Sequence, residues 1–161
     1  MAGPLAGVRV LDMSAVLMGP LATQVLGDLG ADVVKVESKD GDTTRPIGPG
    51  HHPDMGSLYL ALNRNKRSIV LDLKKPAGKQ ALLKLAEGAD VFMYNLRPQA
   101  MARLGLSYEE VRAVNPRIIY CGTYGFGQLG PYAAKPAYDD LIQGMSGISY
   151  LISRMTGKPG Y

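Results

Sequence analysis

The apolar positions of this chain form short runs that alternate with helical patterns. Residues 8–12 (VRVLD) predict a buried strand, and the β-branched run at 33–37 (VVKVE) predicts a second one. Between them, the apolar residues of 21–29 recur with the spacing of one helical face, and Pro20 suits the first turn of that helix. The pattern therefore predicts a strand, a helix and a parallel strand at the start of the chain.

The same alternation continues further along the chain. Pro76 opens one helical pattern, and Pro98 opens another that Gly105 can close in a left-handed conformation. Ser107 with Glu110 three residues later predicts a capping box for a third helix. Three further apolar runs predict strands, at residues 68–73, 90–94 and 117–121.

Residues 38–65 are polar and rich in Gly and Pro, and they predict a long surface loop or arm. A structureless connection of this length is uncommon, which indicates a function or a contact with another chain. His51 and His52 lie within it, and we interpret this adjacent pair as solvated rather than as ligands.

Strands that alternate with helices across short connections predict a mostly parallel sheet, because parallel strands require crossovers. The predicted fold class is therefore α/β, with a Rossmann-like sheet covered by helices on both faces. A chain of 161 residues is long enough for one domain with a hydrophobic core, or for part of something larger.

The net charge of the chain indicates what kind of ligand it binds. A net charge of +4 favours an anionic partner, but no run of five Lys and Arg residues occurs. A small phosphorylated ligand therefore fits better than nucleic acid. Cys121 is the single cysteine, so the sequence predicts no disulfide framework or metal site and favours a reducing, cytoplasmic setting. The sequence predicts neither a secretory signal nor a membrane span.

Ligands of open α/β sheets bind beyond the carboxyl ends of the strands, so the loops that follow strands are the candidate sites. Four loops qualify, at residues 13–19, 72–75, 95–97 and 122–130. The helix that Pro98 opens offers backbone N–H groups flanked by Arg97 and Arg103, which is typical of an anion site. Two solvated arginines on a surface connection fit the same pattern.

Two other patterns are less specific. Residues 125–130 spell G-x-G-x-x-G, but loop residues rather than a helix follow them, so NAD is not expected. Tyr138 and Asp139 could form a hydrogen-bonded pair at the mouth of a site. Alternatively, Asp139 or Asp140 caps the helix that follows, and spacing leaves both readings open. Cys121 lacks a nearby histidine and is interpreted as a core residue.

Several motifs together resemble a known family. They are LDMSAVLMGP and LGDLGADVVKVE, NRNKRSIVLDLK, NLRP with RLGLSYEEV, NPRIIY, GFGQLGPY, and AYDD. In this order and spacing they resemble the class III CoA-transferases, the CaiB/BaiF group. Members of that group include formyl-CoA and carnitinyl-CoA transferases and α-methylacyl-CoA racemase.

The resemblance implies a Rossmann-like large domain, a smaller domain, and two chains interlocked as a homodimer. In the transferases, an aspartate attacks an acyl-CoA, and the reaction passes through a mixed anhydride and an aspartyl-CoA thioester. The implied partners are an acyl-CoA and a carboxylic acid, with no metal, nucleic acid or membrane. Coenzyme A enters as part of the substrate.

By position, the resemblance also implies a set of CoA-binding residues. They are Val16, Leu17, Met18, Ser38, Leu71, Asp72, Leu73, Lys74, Asn95, Leu96, Arg97, Arg103, Pro136, Ala137, Tyr138 and Asp139. Tyr138 and Asp139 would also support catalysis. Arg97 and Arg103 suit phosphate oxygens, and Lys74 adds a further cation.

The sequence departs from the family pattern at three points, each of which bears on the implied site or activity. Relatives often carry Arg or another polar residue at the position of Ser38, so one contact is missing or is supplied by Lys39. Tyr138 stands where the racemases have a histidine, which argues against racemisation. The nucleophilic aspartate of the family lies further beyond the Tyr-Asp motif than Tyr161, the last residue here. We therefore expect residues 1–161 to be the N-terminal, CoA-binding part of the large domain, without the small domain and the nucleophile.

The sequence thus predicts an acyl-CoA:carboxylate CoA-transferase whose 161-residue chain is inactive alone. One alternative is a racemase or epimerase of the same family, which Tyr138 disfavours. The other is a non-catalytic module that binds CoA or a nucleotide.

Overall fold

The computed structural model describes residues 3–158 and Gly160. The chain divides between Thr123 and Tyr124 into two compact units. The first unit contains a sheet and the helices around it, and the second contains two helices and the loop before them.

The sheet of the first unit has five parallel strands in the order β3-β2-β1-β4-β5. The strands are β1 (Arg9–Met13), β2 (Asp32–Glu37), β3 (Lys66–Val70), β4 (Val91–Tyr94) and β5 (Ile119–Gly122). The helices of this unit are α1 (Met18–Asp28), α2 (Ser57–Asn63), α3 (Pro76–Ala86), α4 (Pro98–Leu104) and α5 (Tyr108–Val114). The predicted α/β class with a Rossmann-like parallel sheet is confirmed.

The strand order reverses direction at β1, which is the central strand. The chain steps from β1 to β2 and β3 on one side, then returns to β4 and β5 on the other. Because parallel crossovers are right-handed, the two directions place their helices on opposite faces of the sheet. The loops after β1 and β4 diverge at this reversal, which is where open α/β sheets bind ligands.

The core forms where apolar strand residues meet the helices. Val10 pairs in register with Val33 of β2 and Val91 of β4, and Val10 and Val33 are each only 1% exposed. Leu26 of α1 packs against the cluster that these two valines form with Ala31. On the other side of the reversal, Phe92 is fully buried. These contacts fix the positions of the strand ends, and hence of the loops that follow them.

The local helix signals are confirmed. Pro98 occupies the first turn of α4, and Gly105 ends that helix in the left-handed conformation at φ 67°. Ser107 and Glu110 form the predicted capping box, in which the Ser107 backbone N–H donates to the Glu110 carboxylate at 2.9 Å.

Two predicted boundaries are wrong. Residues 38–65 are not a continuous loop, because α2 lies within them and buries Tyr59 and Leu62. The third strand is Lys66–Val70 rather than residues 68–73. It begins earlier because Lys66 already pairs in register with Val33 of β2. Its last pair is Val70 with Glu37, although the Leu71 N–H still donates to the Glu37 carbonyl at 2.9 Å. Other boundaries differ from prediction by one or two residues.

The second unit contains α6 (Asp139–Ser146) and α7 (Ile148–Thr156). Residues 125–130, the G-x-G-x-x-G stretch, open no helix, as expected. The alternative interpretation, in which Asp139 or Asp140 caps α6, is wrong: Tyr138 is the N-cap, and both aspartates lie in the first turn. Their charges there complement the positive end of the helix dipole. In the described part of the chain, no helix has the length and apolar character needed to cross a bilayer.

Candidate functional site

A cleft of about 420 Å³ opens at the carboxyl edge of the sheet. It is lined by residues that follow β1, β2, β3 and β4, so four strand ends of the first unit contribute to it. Seven of the residues predicted from the sequence meet in this cleft: Ser38, Leu71, Asp72, Leu73, Lys74, Asn95 and Leu96. Position and lining both fit a ligand site of an open α/β sheet.

The other predicted residues of the first unit lie outside the lining. Val16, Leu17 and Met18 continue the loop from the lining residue Ala15 and are about half exposed. Arg97 follows the lining residue Leu96 and is exposed, and Arg103 is exposed near the end of α4.

The remaining predicted residues, Pro136, Ala137, Tyr138 and Asp139, belong to the second unit. Pro136 and Tyr138 are exposed, and Ala137 is half-buried. The Asp139 carboxylate accepts a hydrogen bond from the Gln143 side chain at 2.7 Å. The hydrogen-bonded pair of Tyr138 and Asp139 is not found among the described residues, because Asp139 turns to its own helix.

Asn95 joins the two loops that diverge at the strand reversal. Its side-chain nitrogen donates to the Ala15 carbonyl at 2.7 Å, and its side-chain oxygen accepts the Ala15 N–H at 3.1 Å. The amide thus satisfies both backbone groups of one residue in the opposite loop. This pairing fixes the separation of the two loops at the head of the cleft.

A buried ion pair in the wall of the cleft supports the loop after β1. The Lys35 ammonium lies 2.8 Å from Asp42 Oδ2, and both side chains are 1% exposed. Lys35 also donates to the Ser14 carbonyl at 2.9 Å. Burial opposes ionisation of Asp42, but the hydrogen bonds from Lys35 and Thr44 outweigh it and lower the pKa of the Asp42 carboxyl.

A second buried network anchors the end of β1. The fully buried Asp12 carboxylate accepts from the Thr23 hydroxyl at 2.6 Å and from the Ser14 N–H at 3.0 Å. The Lys66 ammonium contacts Asp12 Oδ2 at 2.9 Å. Burial is the largest influence on Lys66 and lowers the pKa of its ammonium despite this carboxylate.

Glu37, at the end of β2, holds the loop that follows it. Its carboxylate accepts two hydrogen bonds from the Arg45 guanidinium, both at 2.7 Å, and one from the Ser68 hydroxyl at 2.5 Å. Burial opposes ionisation of Glu37, but the bonds from Arg45, Ser68 and the Asp42 backbone prevail and lower the pKa of Glu37 to about 2. Glu37 therefore remains charged in the folded protein over nearly all of the accessible pH range.

Tyr59 of α2 completes this network. Its hydroxyl donates to the Glu37 carboxylate at 3.1 Å and accepts from Arg45 at 2.7 Å. Burial and the charge of Glu37 raise the pKa of Tyr59 to about 12. The helix that the sequence did not predict is therefore tied to the loop that lines the cleft.

Val16 carries the one conformational outlier of the loop after β1. Its φ of +74° lies in the left-handed region, where a β-branched side chain is rarely found. Such a conformation persists only where neighbouring groups enforce it, and it occurs often at functional sites. The loop after β1 is therefore held in a conformation that its own residue does not prefer.

The cleft combines cations with apolar surface. Lys39 and Lys74 are exposed, and the Lys39 ammonium lies 3.4 Å from Asp72. Leu71, Leu73 and Leu96 contribute apolar lining. A ligand with anionic groups and an apolar segment suits this mixture. Across the described residues, no three His, Cys, Asp or Glu side chains gather as metal ligands.

Sequence reasoning missed five buried charges: Lys35, Glu37 and Asp42, which line the cleft, and Asp12 and Lys66, which pair with each other. A signal was present for three of them. Lys35 interrupts a run that was predicted as a strand of a parallel sheet buried on both faces, and Asp12 and Glu37 are the last residues of such runs. A charge within such a run requires a partner.

The model of the CoA-transferase family III matches residues 5–161 of this chain. The chain belongs to CoA-transferase family III. The resemblance to the CaiB/BaiF group is therefore confirmed.

Curated relatives of this family III chain include CoA-transferases of several organisms. It is 45% identical to succinate–glutarate CoA-transferase of Agrobacterium fabrum, across 97% of the chain and 41% of that protein. It is 44% identical to acetyl-CoA:oxalate CoA-transferase of Acetobacter aceti, across 98% of the chain and 40% of that protein. The chain thus spans about two fifths of the length of these relatives.

A solved structure shows the same fold. A CAIB/BAIF family protein from Brucella suis superposes with a TM-score of 0.88 at 42% identity, over 92% of this family III chain and 40% of that chain. The parallel sheet described above is therefore shared with a solved member of this family.

Proposed function

We propose that this family III chain is the CoA-binding part of an enzyme that transfers CoA between carboxylic acids. The observation that supports the proposal is the cleft at the carboxyl edge of the sheet. Seven residues from three separate loops, implied as CoA contacts by the family resemblance, lie together there. The substrates we propose are an acyl-CoA and a carboxylic acid, as in the names of the relatives.

The chemistry of the cleft suits the parts of CoA. Its phosphates are anionic and match Lys39 and Lys74, with Arg97 exposed beside the lining residue Leu96. Its pantetheine arm is less polar and matches the leucine side chains of the lining. The adenine can pack against the exposed apolar side chains of Leu17 and Met18.

The covalent steps of the proposed reaction require a carboxylate that is free to attack. The attack forms a mixed anhydride and releases the CoA thiolate. The thiolate then attacks the enzyme-side carbonyl of the anhydride, which gives an enzyme-bound CoA thioester and releases the donor carboxylate. The acceptor carboxylate takes the CoA by the reverse of these two steps, which restores the free enzyme carboxylate. Glu37 and Asp42 are buried, and each is bound by a cation. Asp40 and Asp72 also line the cleft, but the family resemblance implies an attacking aspartate beyond the Tyr-Asp motif. On that resemblance we assign the attack to a carboxylate outside the first unit, and we expect the 161-residue chain to bind CoA without transferring it.

We extend the proposal to a cytoplasmic enzyme whose full-length chain forms a homodimer. The lone cysteine is consistent with a reducing compartment. The dimer follows from the family resemblance alone, and the mass of the full-length protein in solution tests it.

Isothermal titration calorimetry of the 161-residue chain tests the central proposal. We expect CoA to bind, dephospho-CoA to bind more weakly because it lacks one phosphate, and NAD to give no saturable heat. Equal binding of NAD and CoA would contradict the proposal, as would a lack of CoA binding by the folded chain. Lys74→Gln should weaken CoA binding more than Lys75→Gln, since Lys74 lines the cleft and Lys75 does not.

A further inference from the structure

Three successive residues of the loop after β1 are each held by a side chain from elsewhere in the first unit. Lys35 binds the Ser14 carbonyl, and Asn95 binds both backbone groups of Ala15. Asp42 Oδ1 accepts the Val16 N–H at 3.4 Å. The loop is thus fixed by groups that come from β2, from the loop after β2 and from the loop after β4.

Asp42 is the centre of this arrangement. Its Oδ1 also accepts the Thr44 N–H at 2.9 Å and the Thr44 hydroxyl at 2.8 Å, while its Oδ2 pairs with Lys35. The carboxylate therefore has a fixed orientation when it meets Val16. Since Val16 has φ of +74°, the contact falls on the one residue of the loop that needs an external constraint.

We propose that Asp42, oriented by Lys35, is a positioning residue that holds Val16 and the loop after β1 in the conformation that binds ligand. Asp42 lines the cleft but is nearly inaccessible, so it acts through Val16 rather than by touching the ligand. The identity of the ligand as CoA rests on the proposed function. The constraint on Val16 does not.

Charge alone predicts the opposite effect, which makes the inference testable. An anionic ligand is repelled by a carboxylate, so removing a negative charge from the cleft should tighten CoA binding. If Asp42 positions the loop, Asp42→Asn should instead weaken binding. Asp40 lines the same cleft and is exposed, and it is the matched control for charge.

The experiment compares CoA affinity of the 161-residue chain and its variants by calorimetry. We expect Asp42→Asn to weaken CoA binding at least tenfold, whereas Asp40→Asn tightens it. In a Val16→Gly background, Asp42→Asn should weaken binding less than threefold, because glycine adopts positive φ without a constraint. Equal effects of the two asparagine variants would overturn the proposal, as would an undiminished effect in the glycine background.

Amide hydrogen exchange gives a readout that does not depend on CoA. In Asp42→Asn, the Val16 amide should exchange at least tenfold faster, while the amide of the core residue Phe92 keeps its protection. If CoA does not bind the unaltered chain, the proposed function is contradicted. The exchange rate of the Val16 amide then tests by itself whether Asp42 constrains Val16. Unchanged Val16 exchange would overturn the inference.

The asparagine variant leaves Lys35 buried opposite a neutral group, which could prevent folding. In that case Lys35→Met/Asp42→Asn replaces it in the same measurements, because the double variant has no unpaired buried charge. The same weakening of CoA binding and the same faster Val16 exchange are expected from it, and the absence of either would overturn the proposal.

Discussion

The side-chain amide of Asn95 pairs with both backbone groups of Ala15, at 2.7 and 3.1 Å, across the reversal of strand order. Asn95 follows β4 and Ala15 follows β1, so one side chain closes the gap between two loops that the topology separates. The cleft is lined by both residues. Its shape at this end is therefore set by two hydrogen bonds.

Replacing Asn95 by alanine should lower both stability and CoA affinity. Each hydrogen bond contributes about 0.5–1.5 kcal/mol, so we expect Asn95→Ala to reduce the free energy of unfolding by about 1–3 kcal/mol. The loops would also lose their fixed separation, and CoA binding should weaken several-fold. Urea denaturation and calorimetry measure the two effects.

Asn115 offers a matched control. Its side-chain nitrogen donates to two backbone carbonyls, those of Ala86 and Ala89, at 2.9 and 2.7 Å, away from the cleft. Asn115→Ala should cause a similar loss of stability and leave CoA affinity unchanged. Equal weakening of CoA binding by both variants would show that Asn95 acts only through global stability.

Val16→Gly and Val16→Ala should differ in stability. The left-handed conformation costs a residue with a Cβ about 1–2 kcal/mol, and glycine avoids this cost but loses some of the gain to its larger unfolded-state entropy. We expect the glycine variant to be more stable than the alanine variant by about 1 kcal/mol, as measured by urea denaturation.

Ala22, in the interior of α1, is a control position at which alanine should be more stable than glycine. There the backbone is right-handed, and Ala22→Gly should lower the free energy of unfolding by about 1 kcal/mol. If alanine proves better than glycine at position 16 as well, the positive φ of Val16 is not a property of the protein in solution.

Glu37 should make stability depend on acid pH. Its pKa is about 2 in the folded protein against an ordinary value of 4.5. The ionised carboxylate therefore stabilises the fold above pH 4.5, and this contribution is lost as the pH falls towards 2. Glu37→Gln should lower the free energy of unfolding by about 3 kcal/mol at pH 7, and the difference from the unaltered protein should shrink between pH 4.5 and 2.

Glu109 serves as the reference for this pH series. Its side chain is 77% exposed on α5, so Glu109→Gln should leave the free energy of unfolding nearly unchanged throughout the same range. A difference between the Glu37→Gln variant and the unaltered protein that stays constant from pH 7 to pH 2 would contradict the lowered pKa of Glu37.

Arg97→Ala tests the proposed orientation of CoA. Loss of a charge-assisted contact to a phosphate should weaken binding by about 1.5–3 kcal/mol. Arg117 is likewise exposed but lies just before β5, at the far end of the sheet, so Arg117→Ala should leave affinity unchanged. Unaltered CoA affinity in Arg97→Ala would show that this arginine points away from the ligand.

The sequence predicted those features that depend on local chemistry. Proline at the start of α4 and glycine at its end act on their own backbone, and the Ser107 capping box spans only three residues. The parallel sheet and the family also followed from order and spacing. Seven predicted site residues meet in one cleft because the carboxyl ends of parallel strands share an edge.

Features that depend on distant partners were not predicted. In the sequence, Lys35 has the pattern of an ordinary strand residue. Its burial depends on Asp42 and the Ser14 carbonyl, which contact it only in the folded structure. The burial of Lys66 depends on Asp12, which is 54 positions away. The helix around Tyr59 was missed because its glycine-rich surroundings resemble a loop, and because the Tyr59 hydroxyl bonds to the distant residues Glu37 and Arg45.

The central position of β1 also constrains how the protein is made. Its neighbour β2 follows soon after it, but the residue that completes its loop, Asn95, lies 80 positions beyond Ala15. During synthesis, one edge of β1 therefore stays unpaired until β4 has left the ribosome. Long-range pairing of this kind slows folding, so the emerging polypeptide is most vulnerable to aggregation while residues 38–90 are still being translated.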